Sequence, residues 1–404
     1  MSRPRAGDTL SSPQNSYTLV GIIGRGAYCE VWCATNCDGY QVAIKFYLEA
    51  FNNHMDARRI LREIQIASSF TGHPQLVQVI DAITPPEGEF NTIAIVYLLH
   101  GKGLHELLKF KSGLTVDHIW LILYQSICGL RAIHSADIAM CDMKPSNLLV
   151  NEFCEVAICD FNLSLALPLP TAEKGMLRMT AGYRAPECIM RAPLTDKNAR
   201  AVDIWGLGCI FAELLLYLQS GLPQTLMRAY SHSGAEPSPY LQFAKMFTVI
   251  GTPGEAGREQ LAAHQPEIAK YWTGKELPSQ LESMFPSSPL AVELLTSMLA
   301  FDPEDRPTAE MLYRHSTFKE FRQKYPAPIF ENQLDLTWID CLQCSQSLRD
   351  GARQLLDAVH EMVVDTSDDT SVDTSDDTSD DTSDGMQASA NISPTDIVCA
   401  IETV

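Results

Sequence analysis

Between Met140 and Val150 the chain reads MCDMKPSNLLV, and three of its side chains could share one reaction. Lys144 follows Asp142 by two residues and Asn147 follows it by five, while Asp160, in ICDFN, lies eighteen residues after Asp142. A carboxylate, a cation and two oxygen ligands are what phosphoryl transfer requires. Asp142 would orient an attacking hydroxyl, and Lys144 would offset charge on the transferred group. Asn147 and Asp160 would hold magnesium. Each of the four, taken alone, is also an ordinary polar loop residue or cap. Their joint spacing is what points to chemistry.

Upstream stand groups suited to phosphates. GRGAYCEV (Gly24–Val31) follows a strand-like run, and Gly24 and Gly26 would let backbone approach phosphate closely. Alone, the stretch is also an ordinary hairpin turn. VAIK (Val42–Lys45) begins sixteen residues after Gly26. Its Lys45 either snorkels to solvent or serves as a cation for nucleotide phosphates, with Glu63 in LREIQI as its carboxylate partner.

The elements that must hold these residues change character along the chain. From Tyr17 to Val96, β-like runs dominate (YTLVGIIG, CEVWCAT, QVAIKFYL, LVQVIDAI, NTIAIVYLL), interrupted by one helical segment with Ile60, Ile64 and Ala67 on one face. From Leu104 the helical period takes over, with the short strand-like runs NLLV and VAICD inside it. The expected class is α+β: a small β-rich lobe with one helix, then a larger helical lobe, with a cleft between them. GLGCIFAELLLYL (Gly206–Leu218) falls short of the roughly 20 residues a membrane span needs, and it contains Glu213. It reads as a buried helix.

The chain has 404 residues and a net charge of −20. That balance argues against a nucleic-acid binder, which needs a basic face. Nine aspartates lie between Asp365 and Asp384 in an Asp-Thr-Ser repeat, and setting them aside leaves about −11. The repeat has almost no apolar content and is expected to be disordered, as are residues 1–16. No apolar run follows Arg3 and Arg5, so no export signal is read there, and a cytoplasmic or nuclear location is expected. The twelve cysteines then read as reduced residues, several in apolar runs.

GYRAPE (Gly182–Glu187), DIWGLGCI (Asp203–Ile210) and DPEDRP, with Arg306, complete the set. Seven motifs in this order and spacing resemble a eukaryotic protein kinase over residues 17–318. They divide it into an N-lobe (17–98) and a C-lobe (99–318), followed by an extension (319–362) and an acidic tail (363–404). GLRAIHSADIAMCDMKPSNLLVN and EVAICDF are most similar to MAP kinases, within the proline-directed branch that also holds cyclin-dependent kinases. The resemblance implies ATP and Mg2+ as cofactors and protein serine or threonine residues as acceptors, with Asp142 and Lys144 catalytic and Asn147 and Asp160 on the metal. It places Ile23, Gly24, Gly26, Val31, Ala43, Lys45, Glu63, Tyr97, Leu99 and Leu149 around the nucleotide. It also implies a Glu187–Arg306 ion pair, Asp203 as a brace for the catalytic loop, and Thr180 as a bridge between Asp142 and Lys144. Neither a nucleic-acid nor a membrane partner is expected, and the acidic tail suits a basic one.

Several positions depart from the pattern. Met140 and Cys141 stand where His and Arg are usual, and that Arg pairs with a phosphate on the activation segment. Gly175 and Leu177 stand where MAP kinases carry the phosphorylated Thr and Tyr. The acceptors and the receptor are thus missing together, which implies a kinase active without activation-segment phosphorylation. Asn162 replaces the Gly after Asp-Phe and, as the next most tolerant residue, is expected to take positive φ. Cys29 replaces a third Gly, and Gly182 replaces a Trp near the substrate +1 pocket. Arg184, which shapes that pocket, is retained. Two rival readings stand beside an active kinase. One is a pseudokinase scaffold. The other is a cyclin-dependent type, which would need a cyclin-contact sequence around Arg58–Ala67 that is not visible.

Overall fold

Alternating burial along the first strands makes one sheet face a core. In the computed structural model, which describes residues 3–26, 29–83, 90–110, 113–169, 179–230, 236–330 and 333–368, the chain forms two compact units. The first draws on Met1–Ala57, Val79–Leu99 and Leu342–Val404, and the second on Arg58–Gln78 and His100–Cys341.

The first unit is a six-stranded antiparallel sheet of β1 (Thr9–Ser11), β2 (Ser16–Arg25), β3 (Cys29–Asn36), β4 (Gln41–Leu48), β5 (Val79–Ile83) and β6 (Thr92–Leu98), in spatial order β1-β2-β3-β4-β6-β5. One face packs Tyr17, Leu19, Trp32, Ala34, Val42, Ile44, Phe46, Ala94 and Val96 into a core. Residues with the opposite parity in β3 and β4 point the other way.

Residues 1–16 were expected to be disordered, but the described part is ordered. Leu10 pairs with Tyr17 in the sheet and packs on its core, and the Arg3 guanidinium meets Glu30 at 2.7 Å. A short edge strand in Ser- and Pro-containing sequence leaves almost no periodic signal.

The helix that completes this unit is C-terminal. Ser345–Asp368 packs on β5 through Leu348, Ala352, Leu355, Leu356 and Val359, a helical stripe of buried side chains. It continues six residues beyond the expected start of the tail at 363. His360 Nε2 lies 2.6 Å from Ala82 O, beside Asp81, whose Oδ2 accepts the Tyr17 hydroxyl at 2.6 Å. The helix expected to belong to the small lobe, His54–Ser69, groups from Arg58 onward with the second unit. There its Ile64 and Ala67 are buried, and the adjacent Phe70 packs on Phe161 and Phe330.

The second unit is mainly helical. The Val116–Ser135 helix opens on a capping box in which the Thr115 side chain and His118 satisfy each other's backbone N–H. The Asp196–Ser220 helix is capped the same way by Thr195 and Asn198. At 25 residues it is longer than its apolar run indicated and passes a membrane-span test on composition. Yet 83% of its most apolar window is buried inside the protein. Short strands cross this unit: β7 (Lys102–Gly103), β8 (Ile138–Ala139), β9 (Leu148–Val150), β10 (Val156–Ile158) and β11 (Leu165–Ala166). β9 lies between β7 and β10, and β11 pairs with β8. These strands frame the loops that carry Asp142 and Asp160. The Asp-Thr-Ser repeat beyond Asp368, and Gly175 and Leu177, lie outside the described residues.

Candidate active site

The loop between β8 and β9 builds its site from a buried anchor outward. Asp203, fully buried, accepts the backbone N–H groups of Met140 at 2.8 Å and Cys141 at 2.6 Å, and lies 2.9 Å from His134 Nε2. Cys141 has φ 62°, a left-handed conformation that costs energy for a residue with a side chain. Met140 is completely buried.

Asp142 comes next in the chain and is almost fully buried. Its Oδ1 accepts the Thr180 hydroxyl at 3.0 Å, and Lys144 Nζ donates to its Oδ2. Lys144 Nζ also reaches Thr180 Oγ1 at 3.3 Å, which closes the expected bridge. Asn147 donates its Nδ2 to the Asp142 carbonyl at 2.9 Å, so its amide oxygen keeps a lone pair for a cation. The Cys159 N–H donates to the Asn147 carbonyl at 2.9 Å, which ties this loop to the segment bearing Asp160. Two hard oxygen donors, one an amide and one a carboxylate, suit a divalent cation that keeps part of its shell for phosphate and water.

Positive φ in the Asp-Phe-Asn turn falls on Asp160 (69°), and Asn162 is not among the residues with positive φ. The expectation for Asn162 was therefore misplaced. Instead, Asn162 Nδ2 donates to Asp160 Oδ1 at 3.0 Å. A glycine at this position could not make that contact.

In the first unit, sheet register gathers the other candidates. Val31 pairs with Lys45, Ala43 with Tyr97, and Gly24 with Val31. Directly paired residues share a face, so Val31, Ala43, Lys45 and Tyr97 line the side opposite the core. Ile23 is exposed at the end of β2, and Leu99, half-buried, follows β6. The Gly26 N–H donates to Cys29 O at 2.9 Å, closing the turn, and a Cβ on Gly26 would fall 2.8 Å from Cys29 Sγ. Glu63, buried, and Leu149 of β9 belong to the second unit.

Beyond the catalytic loop, Arg306 forks onto Glu187 at 2.7 and 2.8 Å with both side chains buried. Arg184 donates through Nη2 to Met179 O at 2.7 Å and through Nη1 to Glu236 at 2.7 Å. Gly182 has φ 100°, and a Cβ there would meet Thr225 Cγ2 at 2.9 Å, so no Trp fits this backbone. Burial pushes the Tyr183 hydroxyl and the Glu213 carboxyl upward in pKa, and the two are hydrogen-bonded to each other.

The protein kinase domain model matches residues 17–318. The chain belongs to the protein kinase family. Within it the kinase is similar to a mitogen-activated protein kinase homolog, NTF6, of Nicotiana tabacum: 35% identical over 306 residues, covering 72% of this chain and 75% of the relative. It is 36% identical over 303 residues to mitogen-activated protein kinase 1 of Oryza sativa subsp. japonica, covering 72% of this chain and 70% of that one. With mitogen-activated protein kinase 13 of Arabidopsis thaliana it shares 37% over 296 residues, 71% of this chain and 75% of the relative. The kinase is thus a MAP-kinase-like serine/threonine kinase with the two-lobed fold of its family, which uses ATP and a divalent metal in general.

The sequence alone did not reveal the contacts of Asn162, Glu236 and Met179, or that of His134 with Asp203. Asn162 alone left a signal, as a departure from the family pattern. The Glu236 and His134 contacts join distant stretches that only folding brings together, and the Met179 contact depends on the local fold of the segment before Arg184.

Proposed function

We propose that this kinase transfers the γ-phosphate of Mg-ATP to protein serine and threonine hydroxyls without phosphorylation of its activation segment. The observation that carries the reading is the clamped Asp142 carboxylate, one oxygen held by Thr180 and the other by Lys144. In that state Asp142 orients the acceptor hydroxyl and takes its proton, while the Lys144 ammonium lies where charge develops on the transferred group. Asn147 and Asp160 would hold magnesium, which supplies charge neutralisation at the phosphates.

A preference for proline after the acceptor follows from Arg184. Its guanidinium occupies the Met179 carbonyl, next to Thr180. A substrate backbone N–H near that carbonyl finds its acceptor already used, and proline has no N–H to leave unpaired.

One observation favours the scaffold reading: Asn162 occupies one lone pair of the Asp160 carboxylate, which leaves a metal to share the others. The deciding experiment is a thermal shift with ATP and Mg2+ alongside label transfer from γ-labelled ATP to a basic protein. Stabilisation with transfer supports the kinase. Stabilisation without transfer supports a nucleotide-binding scaffold, and neither supports an inert one.

A further inference from the structure

The segment that follows Asp160 and Phe161 is fastened to the catalytic loop as far as Leu169. Leu165 pairs with Ala139 and Ala166 with Ile138 in the β8–β11 ladder. The Leu167 N–H donates to Asp137 O at 2.8 Å. The Leu169 N–H donates to Asp196 Oδ1 at 2.8 Å, at the first turn of the Asp196–Ser220 helix. One turn further on, Arg200 forms an ion pair with the Asp137 carboxylate.

Inside these anchors lies an apolar cluster of Ala139, Cys141, Leu165, Leu169, Leu194 and Ala199, with Leu167 packed against it. Cys141 is its link to chemistry. It is completely buried, holds a left-handed backbone, and immediately precedes Asp142. A strained conformation persists only where its surroundings over-determine it. Asp203 accepts the Cys141 N–H at 2.6 Å, and the Cys141 side chain packs within the apolar cluster that holds Leu165 and Leu169. A close-packed cluster transmits a missing side chain as a shift, because interiors do not deform freely.

We propose that Leu165 and Leu169 are positioning residues for Asp142, acting through Cys141. The cluster fixes the Cys141 peptide and thereby the direction of the Asp142 carboxylate. It does so by permanent apolar packing, so the loop needs no charge added by modification to be set. The same packing excludes arginine at 141, whose guanidinium would be buried among leucines. The proposal rests on the reading of Asp142 as the residue that orients the acceptor.

The test uses the full chain as wild type, Leu169→Ala, Leu169→Met and Cys141→Arg. Steady-state kinetics are combined with hydrogen exchange at residues 138–142 and 165–169. Misplacement of a reacting group by about 1 Å can cost up to about 10²-fold in rate. Leu169→Ala should lower kcat at least about tenfold, with KM for ATP within about twofold, and should speed exchange at Met140 and Cys141. Leu169→Met, which conserves volume, should restore kcat to within about threefold. Cys141→Arg should lose activity and gain none on phosphorylation. If Leu169→Ala melts earlier but keeps wild-type kcat and wild-type exchange at Cys141, the leucines are only core and the proposal is wrong. If wild type gives no turnover, the kinase reading fails by itself and exchange alone decides. Faster exchange at Cys141 in Leu169→Ala upholds the coupling, and unchanged exchange refutes it. Should Leu169→Ala not fold, Leu169→Val carries the same comparison.

Discussion

The Thr180 hydroxyl donates to Asp142 Oδ1 at 3.0 Å. This bond joins the end of the activation segment to the carboxylate proposed to orient the acceptor, and fixes the direction of its lone pairs. Thr180→Val keeps the shape but removes the donor, and should reduce kcat by about tenfold with little change in KM for ATP, as expected for an interaction that matters in the transition state. Thr180→Ser should retain most of the rate. A steady-state comparison of the three proteins checks this, and equal kcat values would mean that the bond is dispensable.

Asn162 orients the Asp160 carboxylate through its 3.0 Å contact. Partners that orient metal ligands typically contribute about 10–100-fold in affinity. Asn162→Gly should therefore raise the Mg2+ concentration needed for half-maximal activity by about tenfold. A shift in the opposite direction would mean that Asn162 competes with the metal for the carboxylate. Chelation of divalent metal should abolish label transfer.

Arg184 holds the Met179 carbonyl at 2.7 Å and is itself held by Glu236 and, more distantly, by Gln242. An unpaired buried polar group costs about 1–3 kcal/mol, so a Ser-Pro peptide should be turned over about tenfold better than its Ser-Ala counterpart. Arg184→Ala should bring that ratio close to one. Glu236 is largely exposed, so Glu236→Gln should change the ratio less. Equal turnover of the two peptides by wild type would remove the proline preference.

Glu187 and Arg306 form a bidentate pair whose side chains are 2% and 0% exposed. Removing one partner of such a pair leaves an uncompensated buried charge and costs about 3–5 kcal/mol. Arg306 also donates to the Ala201, Ala300 and Phe301 carbonyls, so Arg306→Met additionally strands three acceptors. Glu187→Gln, which keeps the shape and one acceptor, should lower the urea midpoint less than Arg306→Met does. The opposite order would show that the guanidinium contacts to backbone contribute little.

Asp142, Lys144 and Asn147 were legible because one short loop holds all three, so their spacing survives folding unchanged. The strands bearing Val31, Ala43 and Lys45 were legible from period-two alternation. What the sequence hid was long-range. Ala139, Cys141, Leu165, Leu169, Leu194 and Ala199 come from three stretches of chain, and nothing in any one of them announces a cluster. The C-terminal helix buries Leu348, Ala352, Leu355 and Val359 at helical spacing, but its docking on β5 depends on tertiary packing that periodicity does not encode. Asn162 was noticed for the right reason and assigned the wrong one. The turn places its left-handed residue at Asp160, which frees Asn162 to use its side chain.

The most direct test of the account is label transfer from γ-labelled ATP to a basic protein by the full-length chain, before and after exhaustive phosphatase treatment, with Asp142→Asn alongside. The account predicts a wild-type rate that changes less than about twofold on dephosphorylation, because the catalytic loop is set by packing and not by an added phosphate. Asp142→Asn should fall by about 10²–10⁴-fold, the range for loss of a positioned base. Wild-type transfer no greater than that of Asp142→Asn, or loss of most activity on dephosphorylation, would contradict it.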